Sequence, residues 1–463
     1  MNKITFMITA SLVVSSIAAF AQDKKQVADD YMRSSLYTII VDDHGINGNG
    51  NLKGQIIKET FFKTPLPEKF NDHNLDKSLR SFKPSQYPVT EAEIAAVGGK
   101  EDSGKKKGGL GKSLGKFGKS VASDNTAGVV DTTSTDKVTA QFIKFLAQNN
   151  VGDKLVAKWF NAGKYDASTQ SPYNMELIKE RGLYNASVFD KDIADKSTRG
   201  KAMLEDAGEN LISNTFVVGV RFNYISKEEM ARQLSATTAA VTGLIGGKAA
   251  ATTNSAVQSG ASVAGKGYVV KATAFLFQLD WTEEAAATFY TKYYNANSAD
   301  QFIKSGLFKL KLVGTETAWA DIQSTTFSKV SEKELVERAA VRSIDNVIAK
   351  LQKKYEPFRT KTPLATTESE ITAFIGMKED VEVGDKFEVL EKTEDPETKV
   401  TKYKRVTVIK AEKNKIWDNR FEADIEQAEN AANNAGEVQK IKATSFSGNA
   451  KNIYPGMLIR QIN

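Results

Sequence analysis

Two long low-complexity stretches constrain this chain more than any other feature, because neither has the large apolar residues that a packed core requires. Residues 98–135 are rich in Gly, Lys, Ser and Thr, and residues 235–267 consist almost wholly of Ala, Gly, Ser, Thr and Val. Both are expected to be insertions between blocks that form the cores. The chain has 463 residues and is 41% hydrophobic. This length and composition are sufficient for about two to four domains with packed cores.

The blocks beside these insertions carry both strand and helix patterns. Apolar residues alternate over 216–224, which predicts a strand, and a second long strand is predicted over 268–280 as its neighbour in a sheet. Ser331 and Glu334 have the spacing of a capping box and predict the start of a long helix. We therefore predict an α+β fold in which residues 22–365 form a mixed helix and antiparallel-sheet body.

The last part of the chain, residues 366–463, is predicted to be a separate small β-barrel. Residues 381–389 and 404–409 alternate, and 453–460 repeat a turn that leads into a strand. The V-x-V-G-D strand entry at 381–385 and the D-P-E-T turn at 395–398 resemble the small barrel modules that end some bacterial envelope-assembly proteins. This resemblance implies a cell-envelope context. The body resembles uncharacterised exported bacterial proteins.

The first 21 residues have the pattern of a secretory signal peptide. Lys3 gives a positive start, residues 4–17 are mainly apolar, and Ala19-Phe20-Ala21 is a cleavage site of the A-x-A kind. No cysteine follows, which argues against a lipoprotein anchor, and the later apolar runs are too short for a membrane-spanning helix. We expect an exported protein in the periplasm, outside the cell or at the outer membrane, with no transmembrane helix in the mature chain.

The net charge of the chain comes from one segment. The whole chain carries a formal charge of +6, and seven lysines against two acidic residues lie within 100–119. The rest is balanced, so the basic composition does not predict nucleic-acid binding. The segment 100–119 is expected to be a solvated loop, with peripheral contact to an anionic surface as the alternative.

Composition leaves little material for several kinds of catalysis. There are no cysteines, so thiol chemistry and cysteine metal sites are excluded, and the two histidines leave little material for histidine catalysis or multi-histidine metal sites. The string at residues 107–113 resembles the deviant Walker A loop of chromosome-partitioning and division-site ATPases, which would imply phosphate and magnesium binding there. No apolar run precedes it to form the required strand, and Gly-Lys-Ser recurs at 118–120. We therefore predict no cofactor.

Other candidate sites have plain structural alternatives. Asp42, Asp43 and His44 could contribute to a metal site, but the Asn and Gly residues that follow favour a hairpin turn. Three adjacent acidic pairs are expected on solvated helix surfaces: Asp29-Asp30, Glu228-Glu229 and Glu283-Glu284. Four tryptophans could stack on sugars but are expected to pack in cores: Trp159, Trp281, Trp319 and Trp417. We assign no catalytic, cofactor-binding or metal-binding residue.

These observations favour a non-enzymatic envelope protein that binds or scaffolds other envelope proteins or glycans. The alternative is an exported glycan hydrolase that uses two carboxylates about 5 to 9.5 Å apart in a concave site. A further alternative, that residues 235–267 insert into a membrane as part of a pore, lacks the expected aromatic girdle and strict alternation.

Overall fold

The computed structural model describes residues 34–43, 52–67, 69–98, 135–163, 171–185, 211–226, 267–294, 298–323, 331–394, 401–425, 427–428 and 441–462. The elements of the body are, in chain order, β1 (Ser35–Val41), α1 (Leu52–Lys63), β2 (Asn71–Asp72), β3 (Ser81–Phe82), α2 (Glu91–Gly98), α3 (Thr135–Gln148), α4 (Val151–Trp159), α5 (Glu176–Asn185), β4 (Thr215–Ser226), β5 (Gly267–Asp280), α6 (Glu283–Thr288), α7 (Asp300–Ile303), β6 (Lys309–Gln323) and α8 (Glu332–Lys354).

One sheet organises the body. Its strand order is β2-β1-β4-β5-β6, with β3 also paired to β1. The predicted neighbours β4 and β5 pair antiparallel along their whole length, from Phe216 opposite Gln278 to Ser226 opposite Tyr268. The pairing of β1 with β2, β3 and β4 is parallel, so the sheet is mixed. The next described element after β1 is the helix α1, and the hairpin turn expected from the Asn and Gly residues after His44 lies outside the described residues.

Strand β4 is buried on both faces of the sheet. Its even-numbered residues, such as Val218, pack in a core with α1 and α8, while Val217 packs on the opposite face with α3 and α4. Gly219 permits this packing because a Cβ atom at that position would lie 1.9 Å from the ring of Phe142. The sheet is thus the middle layer between two helical layers, and this confirms the predicted α+β class.

Helix α8 starts where the capping box predicts. The Ser331 hydroxyl accepts from the Glu334 amide, and the Glu334 carboxylate accepts from the Ser331 amide. The predicted apolar face is buried: Val336, Ala340, Ile344, Val347 and Leu351. A turn around Pro357 follows the helix and leads directly into the second part of the fold.

The C-terminal part is a closed barrel, as predicted. Its strands are β7 (Thr362–Thr366), β8 (Ile371–Ala373), β9 (Lys386–Glu394), β10 (Thr401–Ala411), β11 (Thr444–Ser447) and β12 (Leu458–Ile462). Their order around the barrel is β10-β11-β8-β7-β12-β9. The buried Glu388 joins three of these strands, because Arg405 donates to one of its carboxylate oxygens and Arg460 to the other, at 2.7 and 2.6 Å.

The turns at Gly384 and Gly456 each precede a barrel strand, and the first lies within the stretch predicted to be a strand. The strand predicted from 381 begins only at Lys386, because Gly384 has a φ of +85° and the preceding residues form a turn. Gly456, with a φ of +92°, forms the predicted turn before β12. None of the helices described here has both the length and the apolar character that crossing a membrane requires.

Candidate functional site at the junction of body and barrel

One face of α8 holds the barrel against the body through a row of polar contacts. Arg338 forms an ion pair with Glu422 at 2.6 Å, and Arg342 donates from Nε and Nη2 to the carbonyl oxygen of Phe421 at 3.0 and 2.7 Å. Near the end of the helix, Lys353 contacts Asp380 at 2.9 Å. At these positions the helix supplies the cation and the barrel supplies the acceptor.

Asp345 reverses this pattern in the middle of the row. Its carboxyl group belongs to the helix, and its cation, Lys378, belongs to the barrel. The two charged groups are 3.7 Å apart, which is longer than a hydrogen bond, and the other oxygen of Asp345 (Oδ2) has no hydrogen-bond partner. Only 7% of Asp345 is exposed. Burial raises its pKa to about 6, although Lys378 acts in the opposite direction.

Two small crevices run between α8 and the barrel beside Asp345. The larger has a volume of about 40 Å³ and is lined by Lys69, Gln352, Arg359 and Glu379 among others. The smaller has a volume of about 10 Å³ and includes Asp345 and Lys378 in its walls. Ligand pockets usually have volumes of about 300 Å³ or more, so these crevices have room for water molecules rather than a sugar ring.

Charged and polar groups from separate parts of the chain meet in these crevices. The Lys69 ammonium lies 3.9 Å from the Glu379 carboxylate, and burial lowers the pKa of Lys69 while Glu379 raises it. The side-chain nitrogen of Gln352 is buried and has no hydrogen-bond partner. An unpaired buried donor and an unpaired buried acceptor thus lie at the same interface. Such groups are costly unless water or movement of the interface satisfies them.

The barrel also exposes large apolar side chains next to this junction. We define the apolar surface by five residues: Phe374, Met377, Trp417, Phe421 and Ile425. Phe374 is 63% exposed, and Met377, Phe421 and Ile425 are 39%, 41% and 43% exposed. Trp417 is half-buried, and its ring packs against that of Phe374 with 6.4 Å between centroids.

Hydrogen bonds join the two segments that carry the apolar surface, which contain Phe374 and Met377 in one and Trp417, Phe421 and Ile425 in the other. The Met377 amide donates to the carbonyl oxygen of Trp417 at 2.9 Å, and the Lys378 amide donates to the Asn419 side chain at 2.8 Å. A side chain at Gly376 would collide with Trp417, because its Cβ atom would lie 2.0 Å from the Trp417 carbonyl oxygen. The backbone therefore presents these aromatic and apolar side chains in a defined arrangement.

The two aspartates considered for a metal site are each paired with a basic side chain. Asp42 pairs with Lys58 at 2.5 Å and accepts from the Ser81 hydroxyl at 3.2 Å, whereas Asp43 pairs with Arg221 at 2.5 Å. Each carboxylate is thus engaged by its own cation. His44 lies outside the described residues. Among the residues that the structure describes, no three acidic or histidine side chains group in a way that could hold a metal ion.

The other sequence candidates divide between exposed positions and parts of the chain that are not described. Glu283 and Glu284 are exposed in the first turn of α6, as expected. The pairs Asp29-Asp30 and Glu228-Glu229, the strings at 107–113 and 118–120 and the lysine-rich segment 100–119 lie outside the described residues. The same holds for residues 1–33, which include the predicted signal peptide, and for 99–134 and 227–266.

The tryptophans have different environments. Trp159 is fully buried and donates to the Thr215 hydroxyl at 2.8 Å, which confirms its predicted place in the core. Trp281 is half-buried and stacks on Phe308. Trp417 is not a simple core residue, because it contributes to the apolar surface. The side chain of Trp319 lies outside the description.

Sequence reasoning did not identify Lys69, Asp345, Gln352 or Lys378. These residues come from the loop after α1, from α8 and from the turn at Met377–Glu379, and no short motif joins them. The only local signal is that Asp345 and Gln352 lie seven positions apart on α8, which places them on the same side of the helix. Comparison of the chain with protein-family models gives no match, and comparison with curated proteins gives none either.

Proposed function

We propose that this protein is an exported, non-enzymatic component of a bacterial cell envelope that binds or scaffolds other envelope proteins. The observation that carries the proposal is the apolar surface of the barrel. Aromatic side chains and methionine are enriched at protein interfaces, and they supply much of the binding energy where they are buried by a partner. Phe374, at 63% exposed, is the most accessible member of the apolar surface.

The cellular location is part of the same proposal. The pattern of residues 1–21 favours export to the periplasm, to the outer membrane or to the exterior. The likeness of residues 381–385 and 395–398 to envelope-assembly modules favours the same compartment. The lysines within 100–119 would add peripheral contact with an anionic lipid or glycan surface. Amino-terminal sequencing of protein recovered from the envelope fraction tests export, and an intact Met1 would contradict it.

Site-specific photocrosslinking in intact cells tests the binding proposal. A photoreactive phenylalanine analogue replaces Phe374 in the full chain, and the matched control carries it at Tyr454. Tyr454 is another aromatic barrel residue that is 55% exposed, and it lies in the loop between β11 and β12, in neither of the two segments that carry the apolar surface. We expect the analogue at 374 to crosslink a discrete partner that the analogue at 454 does not reach.

A second substitution shows whether the apolar surface supplies the affinity. Loss of an interface anchor typically costs about 2 kcal/mol, which corresponds to about 30-fold in affinity. Phe421→Ser, combined with the photoreactive residue at 374, should therefore strongly reduce the crosslinked product. Equal crosslinking from 374 and 454, no crosslinking from 374, or full crosslinking in the Phe421→Ser variant would each contradict the proposal.

A further inference from the structure

We propose that Asp345 is a proton-controlled latch, which holds the barrel more tightly against the body when its carboxyl group is protonated. The proposal rests on the geometry of the junction. The latch is a property of the fold and does not depend on the identity of any partner of the apolar surface.

The Asp345 carboxyl group is poorly compensated in its ionised form. Closure of the junction leaves Asp345 7% exposed, with the Lys378 ammonium 3.7 Å from one carboxyl oxygen and the other oxygen unpaired. The pair formed by Lys353 and Asp380 in the same row is closer, at 2.9 Å, and Asp380 keeps 39% of its side chain exposed. Ionised Asp345 has thus lost water without a full replacement, and this favours the neutral acid in the closed junction.

The groups around Asp345 come from three elements. Lys378 and Glu379 face it from the barrel, Lys69 faces it from the loop after α1, and the uncharged Gln352 lies on the same helix. The two lysines stabilise the ionised carboxylate, whereas burial and Glu379 destabilise it. Burial has the largest effect, and the pKa of Asp345 is raised to about 6. The apolar wall formed by Pro67, Ile348 and Ala349 contributes to this desolvation.

Opening the junction would return water to this carboxyl group and restore the ordinary aspartate pKa of about 3.9. The closed form therefore binds the proton more tightly than the open form, and acidification favours closure. For a pKa of about 6 in the closed form, proton linkage gives about a tenfold increase in the closing equilibrium between about pH 7.5 and about pH 5. This range lies above the ordinary pKa values of the other carboxylates.

The latch would also affect how the apolar surface is held. Met377 adjoins Lys378, the barrel partner of Asp345, and the backbone of Phe421 is held by Arg342. Opening the junction would release both segments of the apolar surface from α8. A fall in pH would instead keep them in contact with the helix.

The chain has no cysteine, so one introduced thiol can report opening without interference. Ala349 is 4% exposed and lines both crevices, and Ala349→Cys therefore becomes reactive when the junction opens. The matched control is Ala339→Cys on the same helix, which is fully buried in the body core and reports opening of the body itself. Each is made in the full chain with and without Asp345→Asn, which mimics the neutral acid.

The rate of reaction with a disulfide reagent is measured at both pH values and divided by the rate for a free cysteine peptide. We expect the normalised rate at Ala349→Cys to fall about tenfold from about pH 7.5 to about pH 5. In the Asp345→Asn background it should stay low at both pH values. The rate at Ala339→Cys should not depend on Asp345.

Three results would overturn the latch. The first is a normalised rate at Ala349→Cys that does not change with pH, and the second is the same change with and without Asp345→Asn. The third is equal reactivity of Ala349→Cys and Ala339→Cys under all conditions, because the junction would then open only when the whole body unfolds. Failure of the crosslinking experiment alone would leave the latch standing.

Discussion

Asp153 is predicted to be one of the most important polar residues for the stability of the body. It lies in the first turn of α4, is fully buried, and accepts three hydrogen bonds from one loop. The donors are the Gly306 amide at 2.6 Å, the Phe308 amide at 2.8 Å and the Ser305 hydroxyl at 3.0 Å. This carboxylate therefore fixes the loop before β6 against α4.

The structure gives the expected cost of changing Asp153. Asp153→Ala leaves two backbone amides without their acceptor, and each buried unsatisfied group costs about 1 to 3 kcal/mol. We expect the free energy of unfolding to fall by about 3 to 5 kcal/mol. Asp153→Asn keeps one acceptor oxygen for part of the loop, so its cost should be smaller, about 2 to 3 kcal/mol. A cost remains because the side-chain NH₂ group of Asn would face one of the loop donors and cannot accept its hydrogen bond.

Urea unfolding followed by circular dichroism measures both changes at neutral pH. Asp136→Asn is the matched control, because Asp136 occupies the first turn of α3 and is exposed. This control should cost less than about 1 kcal/mol. A cost of Asp153→Ala no larger than that of Asp136→Asn would contradict this prediction, because the three hydrogen bonds would then contribute nothing that water does not replace.

Three further predictions concern other contacts of the body. His73 is fully buried, and burial and Arg181 hold its pKa well below the usual value, so stability should be lost as pH falls through the unfolded-state pKa of about 6.5. Relative to the unsubstituted chain, His73→Gln should shift the change in unfolding free energy between about pH 7 and about pH 5 by about 2 kcal/mol in favour of the lower pH, measured by urea unfolding. Gly219→Ala should cost about 1 to 3 kcal/mol because its Cβ atom would meet Phe142, whereas Gly54→Ala, with no atom within 4 Å of its Cβ, should be neutral or stabilising in the same assay. Ser331→Ala should cost about 1 kcal/mol by loss of the capping box, and an unchanged urea midpoint would contradict this.

The parts of the fold that depend on local signals could be predicted from the sequence. The capping box at Ser331 and the apolar spacing after it identify α8, because both are properties of one helix. The alternation of apolar residues identifies β4 and β5 as strands. The structure pairs these two strands antiparallel, as neighbours in the sheet. The strand and turn signals of 366–463 likewise identify a small barrel.

The candidate site could not be predicted in this way. Asp345 meets Lys378 and Lys69 only because the barrel docks on α8. On the sequence alone, Asp345 belongs to the polar face of an amphipathic helix, and such a face is normally solvated. The parallel pairing of β1 with β4 has the same origin, because it joins segments that are far apart in the sequence. The prediction that Trp417 packs in a core holds only in part, because an apolar residue at a strand end does not reveal which of its faces a later segment covers.

His73 and Asp345 respond to acid in opposite directions, and this determines which measurement can detect the latch. A depressed histidine pKa destabilises the fold as pH falls, whereas the raised pKa of Asp345 contributes stability that is lost as pH rises through about 6. Between about pH 7 and about pH 5 the two effects are each about 1 to 2 kcal/mol, and in global unfolding they largely cancel. A flat profile of overall stability against pH is therefore compatible with a working latch. A probe at the junction reports Asp345 without a contribution from His73, because His73 lies in the body and does not line the crevices beside Asp345.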